Sequence, residues 1–264
     1  MKPKRERNPG KSYSNPLKHP PLAEVVFEIT FSTRVYAVEN RIADFQQHVV
    51  PTYPDSADDF VLHIPPAVAF GKPAKSEAGL TPVRSFVFKN SKGTRTVRVS
   101  VMGISLVVSD YLHFDDYKVA LMAALGPALD IFQPSHIQRV RLRYVNRISI
   151  PPKGAATAYR DYVHSPIDDT TFGDRTLNSF LTEVSLELIG ATRLTVRSGL
   201  LPEQPDTQSR FYLLDLDCSC PESTSLNKET INNLLDEYHE AIERQFKRVV
   251  TEKFWKYMAE GKAM

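Results

Sequence analysis

Two consecutive prolines, Pro20 and Pro21, run directly into Leu22-Ala23-Glu24-Val25-Val26-Phe27-Glu28-Ile29-Thr30-Phe31, and this junction constrains the fold more than any other stretch of the chain. Proline fixes its own φ and lacks an amide hydrogen, so the pair sets the direction in which the chain enters its first regular element. That element alternates. Val25, Phe27, Ile29 and Phe31 interleave with Glu24, Val26, Glu28 and Thr30, the period of two expected of a strand that buries one face.

The rest of the chain does not continue as a regular strand-helix repeat. Val38, Ile42, Phe45 and Val49 recur at helical spacing, and Pro51 stops that helix near residue 50. Pro51 to Pro82 is proline-rich, with one short strand candidate at Phe60 to Ile64; it is expected to be an irregular crossing connection and a mobile flap. Ser85 to Lys89 and Thr94 to Met102 flank Asn90-Ser91-Lys92-Gly93, a turn cluster that predicts a hairpin, and Ile104 to Ser109 supplies a third strand. Asp115 and Asp116 open a helix with Tyr117, Leu121, Ala124, Leu125 and Ala128 on one face and a kink expected at Gly126-Pro127. A strand from Gln138 to Ile150 ends at Pro151-Pro152. A loop-like stretch runs from Lys153 to Asn178, followed by strands at Phe180 to Ile189, Thr192 to Ser198 and Arg210 to Cys218. The chain closes with an amphipathic helix of roughly 30 residues, N-capped by Asn227, whose stripe is Ile231, Leu235, Tyr238, Ile242, Phe246 and Val249.

Segregated helices and meanders predict an α+β fold, with antiparallel sheet in two meander-containing halves packed against helices and a long C-terminal amphipathic helix. The expected organisation is a flexible basic tail over 1–19, an N-terminal half over 20–152 and a C-terminal half over 153–264, the halves forming one compact unit. Length and composition agree with an ordinary globular chain: 264 residues, 42% hydrophobic and 24% charged. Cys218 and Cys220 are too few for a disulfide framework, so a cytoplasmic location is expected. No run of about 18 apolar residues points to a membrane. The tail carries Lys2, Lys4, Arg5, Arg7 and Lys11 against Glu6, a local charge of about +4 that could contact phosphates.

The most unusual segment is Arg139-Val140-Arg141-Leu142-Arg143-Tyr144-Val145-Asn146-Arg147-Ile148. Its alternation places Arg139, Arg141, Arg143 and Arg147 on one face and Val140, Leu142, Tyr144, Asn146 and Ile148 on the other. Same-face neighbours in a strand lie about 7 Å apart, so the guanidiniums repel one another unless acids or an anionic ligand lie opposite. One reading pairs them with Glu24 and Glu28 from a neighbouring strand. A second makes the row, with Tyr144 and Asn146, an anion or nucleic-acid site, and a third makes it a protein-interaction surface. Glu183 and Glu187 face Arg193 and Arg197 by the same logic if residues 189–191 form a hairpin loop.

Other chemistries find little support. Cys218-x-Cys220 shares a face with Tyr212, Leu214 and Leu216 and reads as core; no metal is expected. Asp236, His239, Glu240 and Glu243 on the last helix lack the second histidine of a metalloprotease helix, leaving His239 as a polar contact to the sheet. No nucleophile elbow, P-loop or dinucleotide-binding glycine pattern is present, so neither a nucleotide nor any other cofactor is expected.

Three segments carry a resemblance: Pro20-Pro21-Leu22-Ala23-Glu24-Val25 through Phe31, Arg139 through Ile148, and Leu234-Leu235-Asp236-Glu237-Tyr238-His239-Glu240-Ala241-Ile242 through Phe246 and Thr251. Together they resemble a sporadically distributed bacterial family of full-length soluble proteins of about this length. The resemblance brings no activity. It implies an accessory gene product, and by association a role in phage defence or toxin neutralisation. Its polar signature falls on Glu24, Glu28, Arg141, Arg143, Tyr144, Asn146, Arg147 and His239. The expected function is a non-enzymatic binding or interaction module with a protein partner, self-association remaining open. The alternatives are a nucleic-acid or anion binder using the arginine strand and basic arm, and a hydrolase with a site that no motif marks.

Overall fold

The computed structural model of the chain describes residues 17–62, 82–150, 158–167, 177–188, 190–202, 210–220 and 228–260. Among these residues nine strands form one antiparallel sheet: β1 (Leu22–Phe31), β2 (Asp55–Leu62), β3 (Pro82–Lys89), β4 (Arg95–Ser100), β5 (Gly103–Val108), β6 (Ile137–Ile150), β7 (Thr182–Glu187), β8 (Arg193–Leu200) and β9 (Arg210–Cys220). Among the described residues the helices are α1 (Ala37–Val49), α2 (Phe114–Phe132), α3 (Lys228–Val249) and α4 (Glu252–Glu260), with one 3-10 turn at Ala158–Asp161. The fold is α+β, with its antiparallel sheet packed against helices.

The strand order is β2-β3-β4-β5-β1-β6-β9-β8-β7. It is built from the same move made twice. A long strand is laid down, a meander comes next, of four strands (β2 to β5) the first time and three (β7 to β9) the second, and its last strand returns beside the first: β5 beside β1, and β9 beside β6. A helix closes each move, α2 after β5 and α3 after β9. The two long strands pair with each other at the centre, Val25 opposite Tyr144 and Phe27 opposite Leu142. Topology thus groups β6 with the second half, and one sheet spans both halves. Local sequence sets the turns: Gly93 (φ +67°) and Gly190 (φ +68°) take the left-handed conformation that closes the β3–β4 and β7–β8 hairpins.

One face of the sheet is apolar and covered by the helices. Val25, Phe27, Ile29 and Phe31 are at most 2% exposed, as the alternation requires, and they share a core with Leu142, Leu214, Leu216, Phe45, Leu121 and Leu235. The opposite face carries rows of ionic side chains.

Several expectations change in detail. The proline-rich stretch contains a full edge strand, β2, whose acidic run reads poorly as a strand. Pairing with β3 and ion pairs from Asp58 to Arg84 and from Asp59 to Arg98 (2.6 Å) hold it in place. The expected flap falls mostly on residues 63–81, outside the described residues, as does the expected cap Asn227. Helix α2 runs on through Pro127.

The single C-terminal helix is two helices. At Val250 the backbone forms a bridge with Val163, His164 N–H donates to the Val249 carbonyl at 2.7 Å, and Thr251 N–H donates to that of Tyr162 at 2.9 Å. Thr251 then starts α4, its Oγ1 accepting from Phe254 N–H at 3.1 Å. No helix among the described residues is long and apolar enough to cross a membrane.

Candidate functional site

Strand β6 splits the sequence-predicted residues between the two faces of the sheet, because its side-chain period is two. Arg139, Arg141 and Arg143 lie on the open face and are neutralised there. Arg141 makes a bidentate pair with Asp217 (2.8 and 2.6 Å), and Arg143 makes one with Asp215 (2.8 Å for both bonds). Glu28 accepts from Arg139 at 2.6 Å and lies 3.6 Å from Arg141. Arg197 donates to Glu183 at 2.6 Å and also reaches Asp215 and Asp217 at 3.4 and 3.3 Å. Asp215 and Asp217 are only 1% and 7% exposed.

Burial pushes the Asp217 carboxyl up, but its hydrogen bonds from Arg141 and the charges of Arg141 and Arg197 outweigh this and hold it below the ordinary carboxylate range. Likewise, burial works against the Arg141 charge, and the Asp217 pair more than restores it.

Glu28 is therefore a partner of the arginine row, but Glu24 is not. Glu24 stands opposite Val145, is exposed, and makes no ion pair among the described residues. The main partners are Asp215 and Asp217, which sequence reasoning missed. Their signal was the alternation Leu214-Asp215-Leu216-Asp217-Cys218, an apolar strand whose polar face is purely acidic. Arg147 stands apart, its guanidinium stacked 4.8 Å from the Phe211 ring. Glu187 and Arg193 are opposite each other in register, as expected, and both are exposed.

Tyr144, Asn146 and His239 meet on the helix-covered side, in a cavity of about 170 Å³. Its walls come from the three segments singled out in the sequence: Pro20, Pro21 and Leu22 from the first, Tyr144 and Asn146 from the second, His239, Ile242 and Phe246 from the third. Tyr111, Leu112, Leu216, Glu243 and Trp255 complete the lining, with Leu17 at one side. The double proline forms a wall because its strap is tied down: Lys18 N–H donates to the Met258 carbonyl at 2.8 Å, and Arg147 N–H donates to that of Pro21 at 2.8 Å. The His19 ring stacks on Tyr257 at 4.9 Å.

A hydrogen-bonded relay runs along the wall. Tyr111 and Tyr144 hydroxyls are 3.1 Å apart, and Tyr144 Oη is 2.9 Å from His239 Nδ1. The His239 ring is locked by stacking on Phe114 at 3.9 Å and 9°. Burial keeps this imidazole neutral, pushing its pKa below the usual value against the raising effect of Glu243, Asp236, Glu240 and Asp115. Burial pushes the Tyr144 hydroxyl well up and that of Tyr111 to about 12, so both are neutral hydrogen-bonding groups.

Asn146 is 3% exposed and donates through Nδ2 to the Leu214 carbonyl at 3.0 Å. A carbonyl accepts only, which fixes the amide's orientation. Its Oδ1 has no hydrogen-bond partner among the described residues. The arrangement presents an apolar body with a few oriented polar atoms, the composition of a small-ligand site. Among the described residues no three His, Cys, Asp or Glu side chains come together as a metal-binding set. Burial pushes the Cys218 thiol up to about 12, so it is an inert core group.

Compared with family models and with curated proteins, the chain matches none.

Proposed function

We propose that this protein is a non-enzymatic binding module whose ligand site is the cavity behind Pro20 and Pro21. The observation that carries the reading is convergence. Segments from the beginning, middle and end of the chain meet to line one space with apolar walls, an oriented tyrosine-histidine relay and an unpartnered amide oxygen. A fold needs none of these polar atoms at that point, since an all-apolar wall would pack as well. The cavity has about the volume that holds a benzene ring, and it opens to solvent on one side.

The arginine row gives the nucleic-acid and anion reading no such support, because Arg141 and Arg143 already hold bidentate carboxylates. The same pairing leaves a phosphoester hydrolase without free cations at those two positions.

The test uses Trp255, the only tryptophan in the chain and a lining residue. Phenethyl alcohol and p-cresol, titrated against the full chain, are expected to shift Trp255 emission saturably. Leu216→Phe, which grows into the cavity, should abolish the shift without loss of cooperative unfolding. Equal binding by a folded Leu216→Phe variant would refute the assignment.

A further inference from the structure

We infer that the ligand is a small primary ammonium bearing an aromatic or branched apolar group, its charge held by Glu243 and Asn146 Oδ1 beside the Trp255 indole. This rests on the reading of the cavity as a ligand site.

Charge argues for a cation. Glu243 lines the cavity, and no lysine or arginine is among its described lining residues. Asp115, Asp236 and Glu240 act with Glu243 on His239 from α2 and α3; Lys118, Arg244 and Lys247 pair with Asp236, Glu240 and Glu243, so four acids against three cations leave the surroundings one charge negative. A carboxylate or phosphate ligand would enter against that field.

Hydrogen bonding argues for a donor. Asn146 is buried, its amide is oriented by the Leu214 carbonyl, and its Oδ1 is an acceptor without a partner among the described residues. That oxygen is not among the enclosed unsatisfied atoms, so it is open to the cavity, where a ligand N–H can take its free lone pairs.

The protein already displays the proposed contact. Lys247 Nζ lies 3.0 Å from Glu243 Oε1 and 5.8 Å from the Trp255 ring centroid, an ammonium held between a cavity carboxylate and a cavity indole. Lys247 stands outside the lining. Its ammonium is thus an internal competitor for Glu243, one that an incoming amine displaces or shares. Aromatic walls from Tyr111, Tyr144, Phe246 and Trp255 suit the apolar remainder of such a ligand and add cation–π attraction.

The experiment compares three probes of one shape on the full chain at pH 7.5: phenethylamine, phenethyl alcohol and hydrocinnamate, tracked by Trp255 emission and by the rise in melting temperature. The ammonium is expected to bind about tenfold more tightly than the alcohol, the value of one hydrogen bond to a charged group, and the carboxylate more weakly than either. Glu243→Gln should bring the amine down to the alcohol's affinity. Lys247→Met, which frees Glu243, should tighten amine binding while leaving the alcohol unchanged. Alcohol or carboxylate binding as tightly as the amine overturns the ligand class and leaves the cavity assignment standing. An amine preference unaffected by Glu243→Gln overturns the proposed contact. Failure of all three probes overturns both readings.

Discussion

At the residue scale, the arginine row is held by complementary carboxylates, and its energetics depend on burial. Removing Asp217 leaves the Arg141 charge, 18% exposed, without its bidentate partner. Asp217→Asn is expected to cost about 3 kcal/mol, read by denaturant unfolding. Because the folded carboxyl titrates below the unfolded value of about 4, its stabilisation is complete above that pH and is lost as pH falls through the folded pKa.

His239 has the opposite charge type but the same slope. Its folded pKa is depressed, so the unfolded chain binds the proton first, and stability declines as pH drops below about 6.5. The groups around it are Glu243, Asp236 and Glu240 on its own helix, Asp115 on α2, with Lys118 on Asp236, and the Tyr144 hydroxyl on β6. His239→Gln is expected to flatten the curve of unfolding free energy between about pH 6.5 and pH 5; an unchanged slope would remove His239 as its source. The row of like charges was legible in sequence because a strand's period is two. The identity of its partners was not, since Asp215 and Asp217 lie more than 70 residues away and only β6–β9 pairing brings them alongside.

At the element scale, the C-terminal helix shows what periodicity misses. The apolar stripe through Ile231, Leu235, Tyr238 and Ile242 is a helix seated on β6 and β9, and Leu235 is fully buried. Leu235→Ala is expected to cost about 2–5 kcal/mol, read by denaturant unfolding. The stripe gave no sign of the break at Val250, because the break is made by backbone bonds to Tyr162 and Val163 from a distant segment. Thr251 restarts the helix as a cap, and Thr251→Ala is expected to destabilise by about 1 kcal/mol. Amide exchange should localise that loss to α4 and its neighbouring strap, since Lys18 bonds to Met258. Strand β2 makes the same point from the other side: three aspartates in eight residues argue against a strand, and ion pairs to Arg84 and Arg98 override the propensity.

At the scale of the whole molecule, β1 and β6 are the seam of the architecture, opening the two halves and joining them. One sheet and one hydrophobic core run through both halves. Unfolding is therefore expected to be a single cooperative transition, with Trp255 emission in the C-terminal half and far-UV circular dichroism giving coincident curves; separated midpoints would show that the halves fold independently. The candidate site is likewise a property of the assembled molecule, since its lining joins the β1 entry, the segment before α2, β6, β9, α3 and α4.

The alternation of β1 and β6, the helical stripes and the turn glycines are local, so the sequence by itself determined the α+β class, the buried faces of β1, β6 and α3, and the separation of the arginines from Tyr144 and Asn146. Tertiary structure alone decided what each polar face meets. It set Asp215 and Asp217 against the arginines, brought His239 to Tyr144, and made a cavity wall of the double proline. The physical reason is that register between distant strands and the seating of α3 depend on packing summed over the whole core, which no local period records.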